Sequence, residues 1–285
     1  MNNIISIIIP TFNRANSLPY AVKSVLEQTA PNWELVIVDD GSTDDTQKIL
    51  KEYLGKERIN YHFQENSGVS IARNKGVELS RGDYVIFLDS DDHFYPDLIS
   101  NLNEIKFENY DLICWQVSKI IDGKPSLWKP QKLEKIYNNI IASFLAGSIC
   151  YKKDLLLKVG GFDPEMNFGE NYELGIRISN LPGLRTKVIH QPFLVYSINS
   201  TDRTSSTNFN KTSSNLRLLR KHNDLYKKDR LSLSRLLYQV GFLYESRGKS
   251  ALALSYYKRA VKIRPIYFKA FLKTFYLGIT SFFKN

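Results

Sequence analysis

The chain has 285 residues, 43% of them hydrophobic and 24% charged, which excludes a disordered or fibrous polymer and allows one large α/β domain plus an appendage. Two cysteines cannot build a disulfide framework. The net charge of +10 is uneven: residues 213–285 carry 16 lysines and arginines against 3 acids, the rest 23 against 26. A basic tail on a near-neutral body expects an anionic partner: a membrane surface, an acidic polymer or a nucleic acid. The start of the chain lacks the basic n-region of a secretory leader, and no run of 18 apolar residues occurs. The expected location is therefore cytoplasmic.

Residues 4–9 are a β-branched run suited to a strand buried on both faces. A turn over 10–14 leads to a helix at 17–28, where Leu18, Ala21, Val22, Val25 and Leu26 recur at helical spacing. Residues 34–38 form a second buried strand and 44–54 a second helix, capped at Ser42 or Thr43. A strand at 59–63, a helix at 69–79 and a strand at 84–88 follow. This alternation predicts an α/β fold with a mostly parallel sheet flanked by helices. Next come a helix at 96–107 and a strand at 111–117. Residues 118–135 and the Ser/Thr-rich stretch 199–215 are expected to be loops, and everything beyond is helical. The expected domains are 1–212 and an all-helical basic extension, 213–285.

Ligands of parallel sheets bind beyond the carboxyl ends of the strands. Three polar clusters fall there: residues 11–14, 39–42 and 89–92. Asp89-Ser90-Asp91-Asp92 sets carboxylates at i, i+2 and i+3, and Asp89 and Asp91 point the same way. Such acids repel unless a hard cation such as Mg²⁺ or Mn²⁺ sits between them, with a diphosphate completing its shell. Asp92 alone would also suit a helix cap. Asp40 can accept hydrogen bonds from a base or a ribose. Phe12 could stack on a nucleobase or simply pack, and Arg73 could reach a phosphate or base oxygen or form an ion pair. The turn Pro10-Thr11-Phe12-Asn13-Arg14 contains no glycine, which argues against a dinucleotide fold with G-x-G-x-x-G.

Five segments resemble family 2 glycosyltransferases with the GT-A fold: 6–14, 38–44, 66–68, 72–74 and 82–92. The resemblance covers about residues 3–200 and implies inverting transfer from a sugar nucleotide, commonly a UDP-sugar, to a glycan or lipid-linked acceptor in surface polysaccharide synthesis. It implies a donor set of Pro10, Phe12, Arg14, Asp40, Arg73, Asp89 and Ser90, with Phe12 stacked on the uracil and Asp40 contacting it. It also implies that Asp91, with Asp89, holds Mn²⁺ or Mg²⁺. Family members carry Gly-Gly-Phe-Asp and then a Glu-Asp pair whose Asp is the base. This chain has Gly160-Gly161-Phe162-Asp163, but the pair reads Glu170-Asn171. An amide is no base, so Glu170 or Glu173 is expected to substitute. The alternative is a catalytically impaired nucleotide-sugar-binding or scaffold protein. The Tyr-Arg-x-His pattern expected after the last strand is also altered, to Tyr196-Ser197-Ile198-Asn199.

In the tail, Gly241, Tyr244, Gly248, Ala253, Tyr257, Ala260 and Pro265 resemble one tetratricopeptide unit. In 266–285, Phe268, Phe271, Leu272, Phe275, Ile279, Phe282 and Phe283 fall on one helical face, with Lys269, Lys273, Thr280 and Lys284 on the other. That pattern predicts peripheral contact with the inner face of a membrane. Its aromatics do not interleave with its cations, which argues against nucleic-acid binding.

Overall fold

The computed structural model describes residues 4–198 and 207–282, with side chains described from 4 to 197 and 207 to 278. The chain divides into two compact units. The first comprises Met1–Lys132, Ile140–Pro164 and Glu170–Arg203; the second comprises Leu133–Asn139, Glu165–Gly169 and Thr204–Asn285.

In the first unit, β1 (Ile5–Thr11), β2 (Trp33–Asp39), β3 (Ile59–Phe63) and β4 (Tyr84–Phe87) lie parallel in the order β3-β2-β1-β4. The crossovers are α1 (Leu18–Leu26), α2 (Thr46–Leu50) and α3 (Val69–Leu79). Every residue of β1, β2 and β4 is buried. Helices cover both faces of such a strand, so it reads as a continuous apolar run rather than an alternation.

The elements that follow are β5 (His93–Phe94), α4 (Leu98–Glu104), β6 (Leu112–Ile121), β7 (Lys124–Trp128) and the paired short strands β8 (Gln131–Lys132) and β9 (Ile141–Ala142). Then come β10 (Ile149–Lys152), α5 (Lys153–Lys158), α6 (Glu170–Ser179) and β11 (Thr186–Ile198). Past β4 the sheet becomes mixed: β10 pairs antiparallel with β4 and β6, while β11 runs parallel to β6. The short β5 closes the far edge against β11. Among the described residues this is one nine-stranded sheet of GT-A type. Cys114 and Cys150 are free, buried and inert; burial pushes the Cys114 thiol up to about 12.

The expected loop at 118–135 is instead largely the β6–β7 hairpin. Its turn is Asp122-Gly123, with φ of 46° and 76°. Two adjacent left-handed residues are what a two-residue hairpin turn needs, and Asp-Gly supplies them. The strand β7 contains Pro125, but among the described residues β7 pairs with β6 alone, and an edge strand tolerates proline.

The second unit holds α7 (Asn208–Lys221), α8 (Asn223–Lys228), α9 (Arg230–Glu245), α10 (Ser250–Ile263) and α11 (Phe268–Phe282). The helix α7 begins inside the stretch expected to be a loop, because Thr207 caps it: its hydroxyl accepts from the Asn210 amide at 3.2 Å. Residues 199–206 of that stretch lie outside the described residues. The α9–α10 hairpin is tied by Tyr257, whose hydroxyl donates to Glu245 at 2.5 Å. On α11 the face toward α10 is Ala270 and Leu277, both buried, while Phe268, Phe271, Phe275 and Tyr276 are each at least 50% exposed. The opposite face is thus small and apolar rather than basic, and Lys273 at its margin pairs with Glu245 at 2.7 Å. The side chains of Ile279, Thr280 and Phe282, and residues Phe283 and Lys284, lie outside what is described.

Candidate functional site

The turns after β1 and β2 are laced together. Asn13, in the left-handed region at φ 52°, donates its amide to Ser42 Oγ at 2.9 Å, and its Oδ1 accepts from the Thr43 amide at 2.8 Å. The Arg14 amide donates to Thr46 and the Ala15 amide to Asp44. These bonds leave Phe12 44% exposed beside the β2 end, with Pro10 buried behind it and Arg14 exposed.

Asp40 is buried and organises the next segment. Its Oδ1 accepts from Gln64 at 2.7 Å and the Ser67 amide at 2.9 Å; its Oδ2 accepts from the Gly68 amide at 2.8 Å. One carboxylate therefore fixes the loop that starts α3, and with it the register of Arg73.

Arg73 is 2% exposed and joins two distant acids. Its Nη2 donates to Asp89 at 2.7 Å and its Nη1 to Glu170 at 2.9 Å. Burial alone would lower its proton affinity, but the two carboxylates outweigh burial and hold the guanidinium charged. Its face lies over the Phe162 ring, 5.3 Å from the centroid. Phe162 is pinned in turn by Asn74, whose side chain donates to the Phe162 carbonyl at 2.9 Å and accepts from its amide at 2.7 Å. Gly161 has φ 68°, and a Cβ there would stand 2.4 Å from Asn74 Oδ1. The glycine of Gly160-Gly161-Phe162-Asp163 thus exists so that Asn74 can reach the backbone. The roles of Asn74 and Phe162 were not evident from the sequence: both lie in quoted motifs, but side-chain-to-backbone pinning has no composition signal.

The acid cluster follows β4. Asp89 is half-buried beside Arg73, Ser90 is buried, and Asp91 is exposed. Asp92 is 2% exposed, and neither carboxylate oxygen has a hydrogen-bond partner among the described residues. Burial, with the charges of Asp89 and Asp91, pushes its carboxyl well above the usual range, against slight relief from the Ser197 backbone, whose amide makes no full hydrogen bond to it. Among the described residues no group of three or more His, Cys, Asp or Glu could hold a metal ion unaided. The donor set still fits a hard divalent ion: Asp89 and Asp91 offer carboxylate oxygens, the buried Asp92 oxygens are left without a hydrogen-bond partner among the described residues, and Mg²⁺ sites commonly take only one or two carboxylates beside phosphate oxygens.

Both acids expected to replace the missing base lie on α6 and differ in setting. Glu170 opens the helix, its side chain 15% exposed and its Oε1 held by Arg73. Glu173 is fully buried and gripped by Arg177, whose Nε lies 2.9 Å from Oε1 and whose Nη2 lies 2.6 Å from Oε2. Arg177 also donates to the Val159 carbonyl, tying α6 to the end of α5.

Strand ends that carry acids around one buried arginine, on a parallel half-sheet, define an α/β protein of the GT-A class. Residues 6–163, more than half of the chain, match glycosyl transferase family 2, and the chain belongs to that family. An uncharacterized glycosyltransferase of Rickettsia typhi is 34% identical over 183 residues, covering 60% of this chain and 57% of that protein. The putative teichuronic acid biosynthesis glycosyltransferase TuaG of Bacillus subtilis is 44% identical over 107 residues, 37% of this chain and 42% of TuaG. The matched part thus spans about half the length of these relatives, 57% of the first and 42% of TuaG. Residues 1–349 of S. aureus TarS, solved in complex with UDP-GlcNAc, share the fold with a TM-score of 0.64 at 19% identity, covering 96% of this chain and 89% of that one.

Proposed function

We propose that this protein is an inverting glycosyltransferase that moves a sugar from a UDP-sugar to a glycan or lipid-linked acceptor. The observation that carries the proposal is Arg73, which binds the first acid of Asp89-Ser90-Asp91 and Glu170 at once, on a helix whose start is set by Asp40. The likeness to a fold solved with UDP-GlcNAc, and the polysaccharide role in the name of TuaG, support the donor and acceptor classes.

In this reading the exposed Phe12 ring stacks on the base, and Asp40 contacts its edge while keeping the 64–68 loop in place. Pro10, Arg14 and Ser90 complete the donor site around them. Asp89 and Asp91 would hold Mn²⁺ or Mg²⁺, which when bound neutralises negative charge on the departing diphosphate. Glu170 takes the proton from the acceptor hydroxyl as its oxygen attacks the anomeric carbon and the bond to the diphosphate breaks. One displacement inverts the configuration. Arg73 holds Glu170 by Oε1, so Oε2 is the oxygen assigned to the proton. Glu173, buried against Arg177, positions the helix. A screen of UDP-, GDP- and dTDP-sugars with Mn²⁺ for donor hydrolysis tests this: UDP release from at least one UDP-sugar is expected, and no hydrolysis of any donor sinks it.

A second reading, nucleotide-sugar binding without turnover, is favoured by the single fact of Asn171. In the same screen it predicts binding with no hydrolysis.

The exposed aromatic stripe of α11, bordered by the exposed Lys269, suits peripheral contact with an anionic bilayer. No helix of the described residues is long and apolar enough to cross a membrane.

A further inference from the structure

The mixed half of the sheet carries a groove that the donor site does not use. Its floor is a row of directly paired residues across four strands. His93 on β5 faces Val195 on β11, Val195 faces Ser118 on β6, and Ser118 faces Leu127 on β7. Two residues along, Ser197, Ile120 and Pro125 form a second row. Paired residues point to one face of a sheet, and so do residues two apart, so both rows line the same surface. The groove has a volume of about 690 Å³, within the roughly 300–1,000 Å³ of small-molecule sites.

Its lining is mixed in a particular way. Tyr95, 36% exposed, offers a ring held in place by its hydroxyl, which donates to Ser118 Oγ at 3.1 Å. Leu127 is 47% exposed at the other side. Between them stand the imidazole of His93 and the hydroxyls of Ser118 and Ser197. A sugar ring has an apolar C–H face and a rim of hydroxyls, and it needs an apolar platform flanked by short polar groups. An acyl chain would leave these polar groups unpaired, and a purely ionic ligand would leave the platform unused.

The groove also begins at the reacting centre. His93 lies two residues past Asp91, and two residues of extended chain span at most about 7 Å. A second cavity, about 280 Å³, lies by Ile4, Trp33 and Arg81, where Glu34 and Arg81 neutralise each other at the start of the strands.

We propose that this groove is the acceptor site and binds the terminal sugar of a glycan, with Tyr95 and Leu127 as its platform. The inference rests on the glycosyl-transfer reading, and the experiment keeps the two apart. A glycan array is probed with the full-length protein in UDP and Mn²⁺, alongside Leu127→Arg, Tyr95→Ala and Tyr95→Phe. Both altered platform positions are well exposed, so the fold tolerates them. The wild type is expected to bind a subset of glycans; Leu127→Arg and Tyr95→Ala lose at least about tenfold in binding, and Tyr95→Phe, which keeps the ring, retains most of it. The UDP-induced rise in melting temperature stays unchanged in all three. A UDP response with no glycan bound, or with glycans bound equally by Leu127→Arg and Tyr95→Ala, overturns the groove alone. No UDP response in the wild type overturns the underlying reading as well.

Discussion

Arg73 and Glu170 are 97 residues apart in the chain and 2.9 Å apart in space. The same guanidinium reaches Asp89, so the carboxyl end of β4 and the start of α6 are held together by one buried cation. Replacing Arg73 by Ala leaves both acids facing a desolvated gap. Breaking a buried pair costs about 3–5 kcal/mol, and the 32% exposure of the Asp89 side chain argues for the lower end. Urea unfolding of Arg73→Ala should show a loss of about 3 kcal/mol, with donor turnover abolished. Unchanged stability would mean that the bridge is not formed in solution.

The base assignment separates Glu170 from its neighbour. Glu170→Gln keeps an oxygen for Arg73 but removes the proton acceptor. The expected fall in kcat is about 10²–10⁴-fold, with donor KM little changed. Asn171→Asp is expected to leave kcat within a few-fold. The reverse pattern, a tolerant Glu170→Gln and a large gain from Asn171→Asp, would show an impaired enzyme that lacks its family's acid.

How much of this was legible in the sequence follows from the range of each interaction. The parallel half was readable because buried strands such as β1 leave unbroken apolar runs and the polar clusters fall directly after them. The hairpin at Asp122-Gly123 was not legible as strands because residues 118–135 mix polar residues with prolines and show no sustained alternation. Of the two readings of Arg73, the structure shows an ion pair, but a buried double one, and its partners Asp89 and Glu170 were not legible because nothing local in the sequence records a contact across 97 residues. The contrast between Glu170 and Glu173 was equally hidden: three residues apart on one helix, one meets Arg73 and the other is enclosed with Arg177.

Acid stability has a source at the opposite ends of the strands. Burial tends to raise the Glu34 carboxyl, but hydrogen bonds from Ser6, Arg81 and Gly82 outweigh it and the net shift is downward. A carboxyl lowered in the folded state adds stability above its unfolded value, here 4.5, and loses it as pH falls through the folded value. Glu34→Gln should therefore melt below the wild type at about pH 7, and the gap should shrink at about pH 3.5. A gap independent of pH would show that Glu34 acts through packing alone.

The α11 stripe predicts sedimentation with vesicles containing phosphatidylserine and little with neutral ones. Each lysine or arginine near such a surface contributes about 1 kcal/mol, so binding should weaken as salt rises. A triple change of Phe268, Phe271 and Phe275 to Ser should abolish the binding, because those rings are exposed rather than packed. Equal binding by the triple variant would remove the stripe from the account.

The most direct test of the central claim is the melting temperature in the presence of UDP and Mn²⁺. Ligand at 100 times its Kd adds about 2.7 kcal/mol, which is a rise of several degrees for a chain of this size. The wild type should show that rise with UDP and Mn²⁺ together, and Asp91→Ala should lose it while folding normally. A wild type indifferent to every nucleotide tried, or an Asp91→Ala variant that gains as much, would contradict the account.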